Sequence, residues 1–212
     1  MLDALISPVR EIYAVCVLAG LRPGEARALH VEDVNLGRRR VHVKRTAKDN
    51  ALPGQPKVGP VKDHESRIVP VGDDLLRVLR EYLMRRDDRQ ARSPFLFPTM
   101  NPGESASGMV QKHTIEANFR EARDRLRLPK VNFYQASRHT FASHYIIDGG
   151  SIERLSKILG HCSVVVTERY SHLRSDHFTE HDLRPMLGLG KSNALQVVRG
   201  GRASKSGTTG TT

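Results

Sequence analysis

The chain has 212 residues, of which 34 are Lys or Arg and 23 are Asp or Glu, for a net charge of +11. That length allows one well-packed domain with or without a tail, and 38% hydrophobic with 27% charged residues excludes a disordered chain. The basic excess points to a polyanion such as nucleic acid, and an aromatic share of 5% with no tryptophan favours phosphate contacts over base stacking.

From Leu2 to Ala19, the residues Leu2, Leu5, Ile6, Val9, Ile12, Tyr13 and Cys16 recur at helical spacing, and Gly20 breaks the pattern. Pro23 suits the first position of a second helix, Gly24 to about Val31, which sets Arg22 at its cap. A cation beside free helix amides is unfavourable unless an anion lies between them. Arg22 therefore either pairs with Glu25 or Glu32 or serves a phosphate. Arg40–Lys44 and Arg67–Val71 alternate like strands, joined by a Gly/Pro/Lys-rich connection, Arg45 to Ser66, that contains Lys48, Lys57 and Lys62. So long and basic a connection is unusual unless it is used.

Asp73 and Asp74 cap a scaffold helix with an apolar stripe of Leu75, Leu76, Val78, Leu79, Tyr82 and Leu83. Ser93 to about Lys112 reads as loop. A helix from about Thr114 to Leu126 follows, with Ile115, Phe119, Ala122 and Leu126 facing inward. The next helix, roughly Tyr134 to Ile147, puts Arg138 on the face of Phe141, Ala142 and Tyr145. An inward arginine is costly unless an anion receives it, either a buried carboxylate or a ligand phosphate. Ser151 caps a helix from Ile152 to Leu159, which Gly160 ends. A polar helix is expected from Ser175 to Met186. Beyond it Gly, Ser, Thr and Lys dominate. Lys191, Arg199, Arg202 and Lys205 of this tail supply only part of the positive charge.

Cys16 and Cys162 have no disulfide or metal spacing and suit a reducing cytoplasm, and no apolar run approaches a membrane span. The segment His177–His181 matches the H-x-x-E-H pattern of some zinc peptidases, but its polar surroundings favour a solvated helix face. A phosphate-cradling glycine loop and a two-metal acidic cluster are both missing from the sequence. What remains is a set of cations, Arg22, Lys62, Arg138 and His161, that could converge on Tyr170. Arginines can clamp the equatorial oxygens of a phosphodiester, a lysine can protonate a leaving oxygen, and a tyrosine can attack phosphorus to conserve the bond as a phosphotyrosine.

The blocks Ala19–Ala26, Ser137–His144, and Leu159–His161 through Tyr170–Leu173 stand in an order and spacing that resemble the catalytic domain of the tyrosine recombinases, the phage integrase family. A fourth block, Val61–Val71, resembles the family's lysine-bearing hairpin, and the four together span about residues 15 to 175. The resemblance implies a mixed α/β, mainly α-helical fold with a small antiparallel sheet. It implies that Arg22 and Arg138 bind the scissile phosphate, Lys62 is the general acid toward the 5′-oxygen, His161 bonds a non-bridging oxygen, and Tyr170 forms the 3′-phosphotyrosine. Glu25 would orient Arg22, and His139 would be a supporting residue of the site. No metal or nucleotide cofactor is implied. The partners implied are double-stranded DNA and further copies of the chain, as a tetramer on DNA, in the cytoplasm of a prokaryote at the nucleoid.

Two departures from the family pattern stand out. Gln135 occupies the position three residues before Arg138 where the family usually has histidine, so a proton acceptor for the tyrosine is lacking there and Gln135→His is expected to speed cleavage. The family's N-terminal helical domain has no counterpart, so residues 1–186 are expected to be the catalytic domain alone, with a disordered tail over 187–212. Such a chain should bind DNA weakly and with steep salt dependence. Two other functions fit the same residues: a topoisomerase-like relaxing activity, and an inert DNA-binding remnant.

Overall fold

Pro8 decides where the first helix begins. The computed structural model describes residues 1–50, 57–61, 66–99 and 108–173, all within the unit Met1–Ser175. Leu2–Ala4 form a separate 3-10 turn, and α1 runs Val9–Ala19 after Pro8. The helix expected from Leu2 is thus divided, because a proline turns the preceding residue away from helical backbone. Ile12, Ala14, Val15 and Cys16 are all fully buried and only Arg10, Val17 and Leu18 are half-buried, so most of α1 is enclosed by the fold.

Gly20 ends α1 at φ +70°, and a Cβ there would lie 2.5 Å from the Phe141 ring. Both the backbone sign and the close packing require glycine. α2 (Pro23–Arg27) is shorter than the helix expected to reach Val31, whose residues form a further 3-10 turn, Val31–Asp33.

A three-stranded antiparallel sheet follows, ordered β1 (Val34–Asn35), β2 (Arg40–Val43), β5 (Arg67–Pro70). Its register pairs Val41 with Val69 and Val43 with Arg67, so one face carries valines into the core. The long connection between β2 and β5 folds in part into a second hairpin, β3 (Arg45–Ala47) against β4 (Val58–Pro60). Lys62 lies outside the described residues, just beyond β4.

α3 (Asp73–Met84) packs on α1 through Leu75, Leu79 and Tyr82. Gly72, rather than the aspartates, is its cap. Asp73 and Asp74 fill the first turn instead, where their charge meets the positive end of the helix dipole. A one-turn α4 (Asp88–Ala91) has no counterpart among the expected elements, although Asp87 and Gln90 form a reciprocal capping box there. α5 (Lys112–Arg125) buries Ile115, Phe119 and Ala122, while Leu126, expected inside, is 42% exposed.

The expected helix from Tyr134 contains a π-turn, Gln135–His139, before α6 (Thr140–Ile147). α7 (Ile152–Leu159), the one-turn α8 (Val165–Glu168) and a 3-10 turn, Ser171–Leu173, complete the described fold. Ala142, Ile146, Leu155, Leu159 and Tyr170 form a second apolar cluster. No helix among the described residues is long and apolar enough to cross a membrane. The expected helix 175–186, the His177–His181 segment and the tail 187–212 lie outside the described residues.

Candidate active site

The C-terminal end of α7 organises the site. Ser151 caps its start, accepting from the Arg154 N–H at 3.2 Å, and Gly160 turns the chain away at φ +63°. Helix ends leave carbonyls without intrahelical partners and carry partial negative charge. Three successive carbonyls here each accept from a different arginine. Arg67 Nε donates to the Ile158 carbonyl at 2.7 Å, Arg138 to that of Leu159 at 2.7 Å, and Arg22 to that of Gly160 at 3.0 Å. A Cβ on Gly160 would fall 2.9 Å from the Arg67 guanidinium, so glycine at this turn also makes room for the cluster.

Glu25 is the carboxylate of this group. Its backbone position, three residues into the turn begun by Arg22, lets it cap α2 while facing two guanidiniums. It accepts from the Arg22 N–H at 2.8 Å, from the Arg22 side chain at 2.8 Å, and from both Arg67 terminal nitrogens at 3.0 and 2.7 Å. Burial pushes the Glu25 carboxyl up, but the hydrogen bonds and charge of Arg67, with those of Arg22, outweigh it and hold the group below its ordinary range. Of the two alternatives for Arg22, pairing with Glu25 is therefore realised. Glu32 is engaged elsewhere, by Arg45. Serving a phosphate is still open to Arg22, because its side chain keeps 29% exposure.

Arg138 is 1% exposed. It donates to the Gly20 carbonyl at 2.7 Å and the Leu159 carbonyl at 2.7 Å, and contacts His161 Nε2 at 3.1 Å. None of these acceptors is a carboxylate, so the buried-carboxylate alternative for Arg138 does not hold among the described residues. Burial first, then the charges of Arg22 and Arg67, bring its pKa down to about 10. Glu25, the carboxylate whose charge acts on Arg138, is already shared by Arg22 and Arg67. Three guanidiniums around one carboxylate leave an excess of positive charge, which suits an arriving anion.

The hydrogen bonds of His161 fix its tautomer. Arginine only donates, so Nε2 accepts from Arg138 and Nδ1 carries the hydrogen, donating to Thr167 Oγ1 at 2.8 Å. Burial, followed by the charges of Arg138, Arg22, Arg169 and Arg67, lowers its pKa to about 4. The ring is thus neutral at physiological pH, and its Nε2 is aimed at the arginine cluster.

Tyr170 is 7% exposed, with its ring in the second apolar cluster. Its hydroxyl meets His139 Nδ1, with ring centroids 5.9 Å apart. Burial, then Tyr134, raise the phenol pKa against the opposing pull of Arg169 and Arg138, so the hydroxyl keeps its proton at neutral pH. The side chain both packs and presents an oxygen. His139 in turn stands perpendicular to Tyr134 at 4.8 Å.

The structure thus brings Arg22, Glu25, Arg138 and His161 into one hydrogen-bonded group and joins Tyr170 to the segment of Arg138 through His139. Gln135 is engaged in local backbone structure, its amide oxygen accepting from the Asn132 N–H at 3.0 Å and its own N–H donating to Asn132 at 2.8 Å. Two contributors went unrecognised in the sequence. Arg67 had a signal, since strand alternation places it on the buried face with Val69. Thr167, fully buried against His161, had none.

The tyrosine recombinase XerC of Pelobacter propionicus is 26% identical over 171 residues, covering 81% of this chain and 49% of that protein. The chain spans about half the length of the curated relatives it matches. The Tn1549 transposon integrase, solved in complex with a circular intermediate DNA, superposes over 82% of this chain and 56% of that one, with a TM-score of 0.65 at 19% identity. The catalytic domain of bacteriophage HP1 integrase matches over 83% of both chains, with a TM-score of 0.53 at 26% identity. The model of the Phage integrase family matches residues 4–184, most of the sequence, and the chain belongs to that family.

Proposed function

We propose that this chain is the catalytic part of a site-specific DNA recombinase that cleaves and rejoins strands through a 3′-phosphotyrosine on Tyr170. The observation that carries the proposal is the arginine cluster at the end of α7, where Arg138 is buried without a carboxylate partner among the described residues. A scissile phosphate beside Arg22 and Arg138 would receive the donors those arginines now give to carbonyls and to His161. In-line attack by the tyrosine then concentrates charge where the guanidiniums lie. Lys62 is assigned the protonation of the 5′-oxygen on the family resemblance alone. Glu25 and Arg67 hold Arg22 in place, and His161, whose Nε2 now accepts from Arg138, would bond a non-bridging oxygen once that nitrogen carries a hydrogen.

The net charge of +11 supports duplex DNA as the substrate, as does the DNA complex of the Tn1549 integrase. Residues 1–186 would act as the catalytic domain, assembling as a tetramer on DNA at the nucleoid, with 187–212 as a basic tail. Relaxation by a topoisomerase-like route uses the same covalent step without partner exchange, and the relatives named as recombinases and integrases favour exchange. Two differently labelled duplexes carrying a cognate site separate these outcomes. Products joining one label to the other are expected, whereas relaxation of supercoiled DNA with no joined product would overturn the recombinase assignment.

A further inference from the structure

His139 touches the atom that must lose a proton. Its Nδ1 faces Tyr170 Oη in hydrogen-bond contact, and the only proton between them belongs to the phenol when the imidazole is neutral with hydrogen on Nε2. The family pattern would put a proton-accepting histidine at position 135. Here Gln135 stands there, cannot hold a proton, and gives its amide oxygen to the Asn132 N–H.

We propose that His139 is the general base of strand cleavage in this chain, its Nδ1 taking the Tyr170 proton as Oη attacks phosphorus. This rests on the phosphotyrosine assignment above and adds the route of the proton. The electron pair of the O–H bond stays on oxygen as the Oη–phosphorus bond forms. The phosphorus–O5′ bond breaks, its electron pair leaves on the 5′-oxygen, and that oxygen takes up a proton from the general acid. In rejoining, the 5′-hydroxyl gives its proton back to the conjugate base of the general acid as its oxygen attacks phosphorus. The phosphorus–Oη bond breaks with its electron pair on Oη, and the imidazolium returns its proton from Nδ1 to Oη.

The surroundings fit the task. The groups facing His139 are Tyr134 at right angles to its ring, Tyr170, and the cations Arg138 and Arg169. Burial, then Arg169 and Arg138, hold the imidazole below its ordinary pKa of 6.5, so the Nδ1 lone pair is available at neutral pH. Tyr170 meanwhile has a raised pKa and does not ionise unaided. The π-turn Gln135–His139 carries both the buried Arg138 and His139 as neighbours, so one backbone irregularity serves phosphate binding and proton transfer together. Irregular turns of this type are common at functional sites.

The test uses the 212-residue chain on a duplex nicked beside the cleavage point, followed in single turnover across the imidazole pH range. His139→Asn places an amide oxygen near the Nδ1 position, accepting a hydrogen bond but no proton. It should cleave about 10²-fold more slowly at neutral pH, and should lose the fall in rate that the unaltered chain shows as acid protonates the imidazole. His139→Ala should be slower still and regain adduct when imidazole is added, whereas Tyr170→Phe should not. Gln135→His should not rescue the cleavage lost in His139→Ala, because position 135 is not the one in contact with the phenol. Folding of each variant is checked by circular dichroism and DNA binding by filter retention. A folded His139→Asn with the rate and acid limb of the unaltered chain would overturn the proton route alone, as would a folded His139→Ala that imidazole does not restore. No adduct from the unaltered chain would overturn the phosphotyrosine assignment and the proton route with it.

Discussion

Arg138→Lys is expected to cost this chain most of its cleavage activity and a measurable part of its stability. The guanidinium reaches three acceptors on separate elements at once, the carbonyls of Gly20 and Leu159 and the ring of His161. An ammonium has no planar fork and cannot hold all three from one point. Each buried carbonyl left without a donor costs about 1–3 kcal/mol, and one of them closes α1. Cleavage should fall by about 10²–10³, the usual loss when a transition-state donor to an oxyanion is removed. Single-turnover cleavage reads the first effect and thermal unfolding the second. A lysine variant that melts with the parent and cleaves at its rate would remove Arg138 from the site.

Removing the carboxylate beside it should have the larger effect on stability. Glu25→Ala strips Arg22 and Arg67 of their shared anion, and Arg67 is only 10% exposed. Breaking one side of a buried ion pair typically costs about 3–5 kcal/mol, and this carboxylate serves two cations and an N–H. Arg22 would also lose the restraint that keeps it at the mouth of the site, so cleavage should fall with stability. The pH dependence follows from the depressed Glu25 pKa. A group held below its ordinary 4.5 contributes stability in full above that value and loses it as pH falls through the lower folded value. Chemical denaturation across acid pH should show this limb in the parent and a shallower one in Glu25→Gln. A glutamine variant with the parent's acid limb would place the titration elsewhere.

The elements that carry the site were mostly visible in the amino-acid order because local chemistry fixes them. Gly20 and Gly160 both adopt left-handed backbone at the helix ends they were expected to close. Ser151 caps α7, and Pro23 begins α2. The arginine at the inward face of the helix after Tyr134 is as deeply buried as its spacing implied. What sequence periodicity could not give was anything set by tertiary contact. The π-turn Gln135–His139 is one such feature, and no residue type marks it. The agreement of Arg22, Arg67 and Arg138 on three consecutive carbonyls depends on how β5 and the segment before α2 meet α7. Pro8 was legible, and its effect on the preceding backbone alone divides the first helix. Gln135 drew attention as a missing base, yet its neighbour three residues past Ala136, His139, is the one that meets the phenol.

Tyr170 bears the whole account. Incubated at low salt with a duplex nicked beside its cleavage point, the 212-residue chain should form a covalent protein–DNA adduct that survives denaturation, and digestion followed by mass spectrometry should place the 3′-phosphate on Tyr170. Tyr170→Phe, which keeps the ring in its apolar cluster, should bind the same DNA and form no adduct. An adduct that persists in Tyr170→Phe, or one mapped to another residue, would contradict the account, as would a saturated complex of the unaltered chain that never becomes covalent.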